Sequence, residues 1–108
     1  IVSCANTYHL FCVSVCIEDM EALFACKEGF HIRANNIRHV AVLFDALLEN
    51  SFIQSRWQSV LDKGRLLQSK DGRRFVSASS LSSALSAVRN NRTSVASGIR
   101  QDIGLLKG

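Results

Sequence analysis

The clearest pattern in the chain is a helical repeat of apolar residues between positions 37 and 50. Six apolar side chains fall on one face of a helix because they recur mainly at intervals of three and four. They are Ile37, Val40, Ala41, Phe44, Leu47 and Leu48. Asn35 or Asn36 precedes the run and Asn50 ends it. Asn is a favourable N-cap, since its side chain accepts a backbone N–H bond, so the pattern predicts a helix over 37–50.

A second helix is predicted directly after the first. Its apolar positions are Ile53, Trp57, Val60 and Leu61, and Gly64 is expected to stop it in the left-handed conformation. The connection is so short that the two helices must turn sharply against each other. We expect Trp57 to anchor the core between them. The functional alternative is that its indole stacks on a nucleic-acid base.

The segment between positions 8 and 29 is open to two interpretations. Five apolar residues step along one helical face between a Thr7 cap and a Gly29 stop: Leu10, Val13, Ile17, Met20 and Phe24. Alternatively, residues 9–17 form a strand with alternate side chains on one face. The length and the uninterrupted spacing favour the helix.

Turn chemistry marks residues 66–77. Lys70-Asp71-Gly72-Arg73 contains the Asp-Gly pair that favours a type I′ hairpin turn, with 66–69 and 74–77 as its arms. The alternative is an ordered loop. Either way, the tip carries three positive charges.

Two more helices are predicted after the hairpin. The first begins at a Ser79 or Ser80 cap and ends at Asn90, because Asn readily adopts the left-handed conformation. The second begins at about Thr93 and runs to Leu106. Its buried positions are Val95, Ile99, Ile103 and Leu106, and its outer side is expected to present Arg92, Ala96 and Arg100.

These elements predict a mainly α fold, a compact bundle of about five helices with one β-hairpin, and a C-terminal half compatible with a winged-helix arrangement. The chain has 108 residues and no proline, and 47% of it is apolar, which excludes disordered and collagen-like classes and favours one domain over 1–108. No apolar run reaches the roughly 18 residues of a membrane span. Because the chain starts at Ile1 and its one methionine is Met20, we interpret it as a fragment of, or as trimmed from, a longer chain.

Charge separates the two halves of the chain. Residues 1–50 carry three Lys or Arg against six Asp or Glu, a net −3, whereas residues 51–108 carry ten against three, a net +7. Seven of those ten are Arg, whose guanidinium binds phosphate through two parallel bonds. A basic half of this kind favours a polyanionic partner. The alternative is a solvated surface without a partner.

The turn Asn-Asn-Arg between the last two predicted helices has the size of a helix-turn-helix connection. In that motif the N-terminal end of the second helix contacts base edges in the major groove, and here the hairpin is expected to act as a basic wing on the adjacent backbone. The sequence therefore predicts duplex DNA as the partner. The predicted contact residues are Lys70, Arg73, Arg74, Arg92, Thr93, Ser94, Ser97 and Arg100.

The order of elements over residues 37–107 resembles a known family. An amphipathic helix, a Trp-bearing helix, a hairpin and then Arg89-Asn90-Asn91-Arg92-Thr93 opening the last helix are similar to RteC-type regulators of bacterial mobile elements. The resemblance covers about two-thirds of the chain, and the acidic first third has no counterpart in it. It implies a winged-helix DNA-binding regulator of bacterial, cytoplasmic origin, and it transfers no functional residue.

The sequence contains no motif that is typical of catalysis, of cofactor binding or of metal binding. We find no nucleophile–base arrangement, phosphate-binding glycine loop or metal motif, so we expect no enzyme, no cofactor, no metal and no small-molecule substrate. The four cysteines are Cys4, Cys12, Cys16 and Cys26. Buried reduced thiols are the favoured interpretation, with disulfides or a metal site as alternatives.

An alternative function comes from the opposite charges of the two halves and the apolar, cysteine-containing first segment. Such a chain is also suited to a protein–protein interaction or homo-oligomerisation module, for example a homodimer, with no nucleic-acid role.

Overall fold

Six helices and two short strands form the part of the chain that the computed structural model describes, residues 2–53, 56–90 and 94–107, with side chains except at 89, 90, 94, 106 and 107. The helices are α1 Val2–Thr7, α2 Ile17–Phe24, α3 Ile37–Glu49, α4 Trp57–Lys63, α5 Ala78–Asn90 and α6 Ser94–Lys107. The strands are β1 Ile32–Arg33 and β2 Leu67–Gln68, which pair in parallel. The expectation of a mainly α fold with one hairpin is confirmed.

Helix α3 is the centre of the fold. Asn36 caps it as predicted, because its side-chain oxygen accepts the backbone N–H groups of Arg38 at 3.0 Å and His39 at 3.3 Å. All eight residues from 40 to 47 are buried, so the helix is covered on every side rather than on one face. Helices α5 and α6 pack against it. This burial includes one carboxylate, Asp45, only 3% exposed.

Trp57 anchors the core as predicted. Its side chain is 6% exposed, and its ring stacks on Phe44 of α3 with centroids 5.3 Å apart. The end of α4 differs from the prediction, because Gly64 has a φ of −79° and Arg65 takes the left-handed conformation with a φ of 49°. The Gly64 N–H still bonds to the Val60 carbonyl, so the chain reverses one residue later than expected.

The long helix predicted between positions 8 and 29 is wrong. The chain instead forms α1, a loop over 8–16 and α2, and both Val13 and Ile17 of the predicted apolar face are 63% exposed. The Asn6 side chain holds the loop, since its oxygen accepts the Val15 N–H at 2.8 Å and its amide donates to the Val15 carbonyl at 2.9 Å. These bonds replace the ones that a continuous helix would make.

The alternative strand over residues 9–17 is also wrong. In this segment the structure has a single antiparallel bridge, between Phe11 and Ala34. Two further backbone bonds extend it: Cys12 N–H donates to the Arg33 carbonyl at 3.0 Å, and Asn35 N–H donates to the Leu10 carbonyl at 2.9 Å. The N-terminal loop therefore lies along the edge of β1.

The start of α5 differs from the predicted Ser79 or Ser80 cap. Ser77 caps the helix, because its hydroxyl oxygen accepts the backbone N–H of Ser80 at 3.1 Å. Asp62 at the end of α4 also accepts the N–H of Ala78 at 3.0 Å. The first turn of α5 is thereby attached to α4.

Helix α6 packs closely on the N-terminal segment at Gly98. A Cβ at this position would overlap the phenol oxygen of Tyr8, so only glycine leaves room for the tyrosine. Ile99 and Ile103 of the same helix are fully buried. Helix α6 is therefore held between α3 and the N-terminal segment.

Candidate nucleic-acid interface

The hairpin predicted over residues 66–77 is present. Ser69 N–H donates to the Arg74 carbonyl at 2.7 Å, and Val76 N–H donates to the Leu67 carbonyl at 2.8 Å. The predicted type I′ turn is wrong, because a type I′ turn needs positive φ at two residues and in this loop only Gly72 has it, at 74°.

Asp71 organises the turn through its side chain. Its carboxylate accepts the Ser69 hydroxyl at 2.6 Å and the backbone N–H of Arg73 at 3.0 Å. These two bonds, with a smaller contribution from the Arg74 charge, lower the pKa of Asp71. The carboxylate is thus occupied within the loop, and an Asx-type turn takes the place of the mirror-image turn.

Arg33 attaches the hairpin tip to the rest of the molecule. Its Nε donates to the carbonyl of Lys70 at 3.0 Å, and its Nη2 donates to the same oxygen. The parallel pairing of β1 with β2 supports the base of the hairpin, with Ile32 N–H on the Leu66 carbonyl at 3.0 Å. Arg33 therefore holds the tip of the hairpin and β1 holds its base, so the hairpin does not project freely.

Positive side chains surround this turn. Lys70, Arg73 and Arg74 are exposed, and the contact of Arg73 with Asp71 is long, at 4.0 Å, between side chains that are 84% and 61% exposed. An exposed pair of that length neutralises little charge. The three hairpin cations predicted from the sequence thus lie together on one turn and remain accessible.

An exposed aromatic ring and a fourth cation lie beside the turn. Phe75 is 41% exposed, and the Arg65 guanidinium lies over its ring, 5.7 Å from the centroid. His31 meets the same ring edge-on at 6.2 Å. We call the set of Arg33, Arg65, Lys70, Arg73, Arg74 and Phe75 the hairpin surface.

Sequence reasoning missed three members of the hairpin surface. Arg33 lies some 37 positions before Lys70, whose carbonyl it binds, and no local pattern connects them. Arg65 and Phe75 flank the hairpin arms, and the alternation of polar and apolar residues there was too weak to assign faces. The available signal was a Phe directly after two basic residues, Arg73 and Arg74.

Arg100 has a different environment from the one predicted. Its guanidinium donates to Asp45 at 2.9 Å and to Glu49 at 3.1 Å, both on α3. Ala96, one turn earlier, is 4% exposed, so the side of α6 that was expected to face outward is packed against α3. That expectation is wrong because the paired carboxylates on α3 attract the Arg100 guanidinium.

The structure describes only part of the other contact residues predicted at the last helix. Ser97 is exposed, Ser94 is the first residue of α6, and Arg92 and Thr93 lie outside the described residues. The exposed α6 residues with described side chains are uncharged: Ser97, Gln101, Gly104 and Leu105. Among the described contacts, none joins this helix to the hairpin surface.

The cysteines are all free, and their positions correct one prediction. Cys4 is buried as expected, and burial raises its pKa to about 11. Cys12, Cys16 and Cys26 are exposed, so the interpretation of all four as buried thiols is wrong. In the described part of the chain no three His, Cys, Asp or Glu side chains are arranged to hold a metal ion.

Neither family models, nor curated proteins, nor solved structures match this chain. Within the described ranges, no helix combines the length and apolar character that crossing a membrane requires.

Proposed function

We propose that this protein is a non-enzymatic DNA-binding domain that contacts the phosphate backbone of duplex DNA through the hairpin surface. The observation that carries the proposal is the gathering of five cationic side chains around one turn. They are Arg33, Arg65, Lys70, Arg73 and Arg74. The one carboxylate in the turn, Asp71, is bonded within the loop and offsets only part of this charge.

The chemistry of these side chains suits phosphate. Four of the five are Arg, and a guanidinium donates two parallel bonds to phosphate oxygens. Accessible cations on a fixed backbone lose less conformational freedom on binding than cations on a mobile tail. The bonds from Arg33 to the Lys70 carbonyl supply that rigidity.

The contact surface then lies on the hairpin and not on the last helix. Arg100 is held by Asp45 and Glu49, so its charge is already offset before any partner arrives. The hairpin, predicted as an accessory wing, becomes the principal contact. The exposed Ser97 can add a hydrogen bond but no counterion release.

Salt dependence of binding to a labelled duplex tests the proposal. If about four phosphates are contacted, raising the salt from about 50 to 200 mM should weaken binding roughly a hundredfold, because each contact releases a condensed counterion. The measurement is fluorescence anisotropy at several salt concentrations. Affinity that does not respond to salt contradicts the proposal, and a preference for single-stranded over duplex DNA contradicts the choice of partner.

A pair of matched variants locates the surface. Arg73→Gln with Arg74→Gln should reduce the salt slope by about two and lower the affinity at least tenfold. Lys27→Gln with Arg56→Gln removes the same charge away from the hairpin and should leave the slope nearly unchanged. Equal losses in the two double variants would show that net charge, and not the hairpin surface, determines binding.

A second candidate function is self-association. Val13 and Ile17, which lie just before and at the start of α2, are both 63% exposed, and exposed apolar side chains of this kind favour an interface between protein chains. Sedimentation over a range of concentrations tests it. A dimer that the Val13→Ser, Ile17→Ser double variant dissociates supports this candidate, and a monomer at high concentration excludes it.

A further inference from the structure

A cavity of about 450 Å³ opens between α2, α3 and α4, on residues that the proposed DNA contact does not use. Its wall is apolar, and four of the chain's eight aromatic side chains line it. They are Phe24, Phe44, Phe52 and Trp57. Its volume is about three times the ~150 Å³ of a cavity that accepts benzene, and it falls within the roughly 300–1,000 Å³ range of ligand sites.

The aromatic rings of the wall hold one another in place. Phe44 stacks on Trp57 at 5.3 Å, and Phe24 meets Phe44 at 5.8 Å with the planes tilted by 55°. These contacts fix the position of the inner wall of the cavity. Moving the apolar surface of a ligand out of water and onto this wall is favourable.

Apolar exposure is concentrated at the mouth of this cavity. Phe24, Phe52 and Val60 line it, and they are 36%, 46% and 43% exposed. The one charged residue in the described lining is Arg56, which is itself exposed. Among the described residues no carboxylate lies within ion-pair distance of Arg56. An apolar pocket with an unpaired cation at its rim is complementary to a molecule with an apolar body and an anionic end.

We infer that this cavity binds an amphiphilic carboxylate, of the size of a medium-chain fatty acid, with its chain among the aromatic rings and its carboxylate on Arg56. The carboxylate remains at the mouth, where water still solvates it. Its charge is the determinant of specificity, because burial of the chain alone does not distinguish an acid from an alcohol of the same length.

The test titrates decanoate into the protein below its aggregation concentration and follows tryptophan fluorescence. Trp57 is the chain's single tryptophan and lies in the cavity wall, so the signal reports this site directly. We expect saturable binding with one site per chain and a rise in the unfolding temperature. Decanol, with the same chain and no charge, should bind about fivefold more weakly. A signal that does not saturate overturns the inference.

Two substitutions separate the roles of charge and volume. Arg56→Gln should lower decanoate affinity about fivefold and leave decanol affinity unchanged. Val60→Phe should fill the mouth and abolish binding of both molecules, whereas Ser59→Phe adds the same ring at the neighbouring exposed position outside the lining and should have no effect. If Arg56→Gln changes neither affinity, or Val60→Phe binds normally, the assignment is overturned.

Sedimentation with and without decanoate examines a different occupant. We expect the same mass with and without decanoate. A dimer that decanoate dissociates would mean that a second copy of the chain occupies the cavity, which overturns the assignment to a small carboxylate. Because the titration involves no DNA, its outcome is independent of the outcome for the hairpin surface.

Discussion

Arginine residues in two regions of this protein have opposite environments. On α6, Arg100 is about two-thirds buried and donates to Asp45 and Glu49 of α3. At the hairpin tip, Arg73 is 84% exposed and has only a 4.0 Å contact with Asp71. The first guanidinium joins two helices, whereas the second is available to a partner. A count of positive charges along a sequence therefore overstates the charge that can bind a polyanion.

The reason for the difference is the position of the carboxylates. Asp45 and Glu49 lie one turn apart on α3, so both can reach the same guanidinium when α6 packs alongside. Asp71 lies within its own turn, and its Oδ1 accepts the Ser69 hydroxyl and the Arg73 backbone N–H. Four substitutions in α6, the hairpin and α3 test the stability of these regions, from the largest expected effect to the smallest.

Arg100→Met should have the largest effect. It keeps most of the apolar stem but removes the guanidinium from Asp45, which is 3% exposed, and we expect a loss of about 2 kcal/mol in the free energy of unfolding. Urea denaturation measures this loss. Arg73→Met is the matched control at the hairpin tip and should change stability by less than about 0.5 kcal/mol. Equal losses at the two sites would remove the distinction between the two regions.

Gly72→Ala should come next, with a loss of about 1 kcal/mol, because Gly72 has a φ of 74° and a Cβ disfavours that conformation. The space around it is sufficient, since the new Cβ would lie 3.5 Å from Arg33 Nε. Gly104→Ala is the contrasting change on exposed α6 and should stabilise the protein by about 0.5 kcal/mol. Urea denaturation measures the free energy of unfolding of both variants. If Gly72→Ala leaves it unchanged, the positive φ at Gly72 does not require glycine.

Glu49→Gln should have a smaller effect, about 0.5 kcal/mol, because Glu49 is 59% exposed and solvent screens its pairing with Arg100. The difference from the parent protein should shrink in about 1 M salt. Glu21→Gln, an exposed position on α2 without an acidic or basic partner among the described residues, is the control. A loss as large as that of Arg100→Met would mean that Glu49, and not Asp45, holds the arginine.

The pH dependence from His39 should be the smallest effect. Burial lowers the pKa of this half-buried imidazole, so the unfolded chain binds a proton more readily than the folded one. The free energy of unfolding should therefore fall as the pH is lowered through about 6.5, the unfolded value, towards the folded pKa. His39→Gln should flatten this part of the thermal-stability profile, with His31→Gln as the control. A profile that His39→Gln leaves unchanged would place the titration elsewhere.

Local sequence signals were sufficient to predict an element whose terminal hydrogen bonds are made by residues within or next to it. Helix α3 begins after Asn36 and ends before Asn50, as predicted, because the cap and the apolar repeat both lie within the segment. The hairpin position was likewise readable from Asp71 and Gly72. Capping and turn bonds join residues a few positions apart, so the sequence alone displays them.

The segment before β1 shows the limit of such signals. Helical spacing was present from Leu10 to Phe24, yet residues 10–12 are held by backbone bonds to the edge of β1. Those bonds, and the hold of Asn6 on Val15, depend on neighbours that the spacing does not reveal. The apolar spacing was compatible with either a helix or a strand, and the backbone bonds to β1 decided against a continuous helix.

By itself, the sequence determined the helical class of this protein, the limits of its central helix, the site of its hairpin and the basic character of its second half. Only the tertiary structure decided which of those charges are accessible and where apolar residues enclose space. Arg33 reaches the Lys70 carbonyl, and Arg100 reaches Asp45, across dozens of intervening residues. Such contacts depend on how the elements pack, because side chains distant in the chain are neutralised or brought together only when the helices and the hairpin meet.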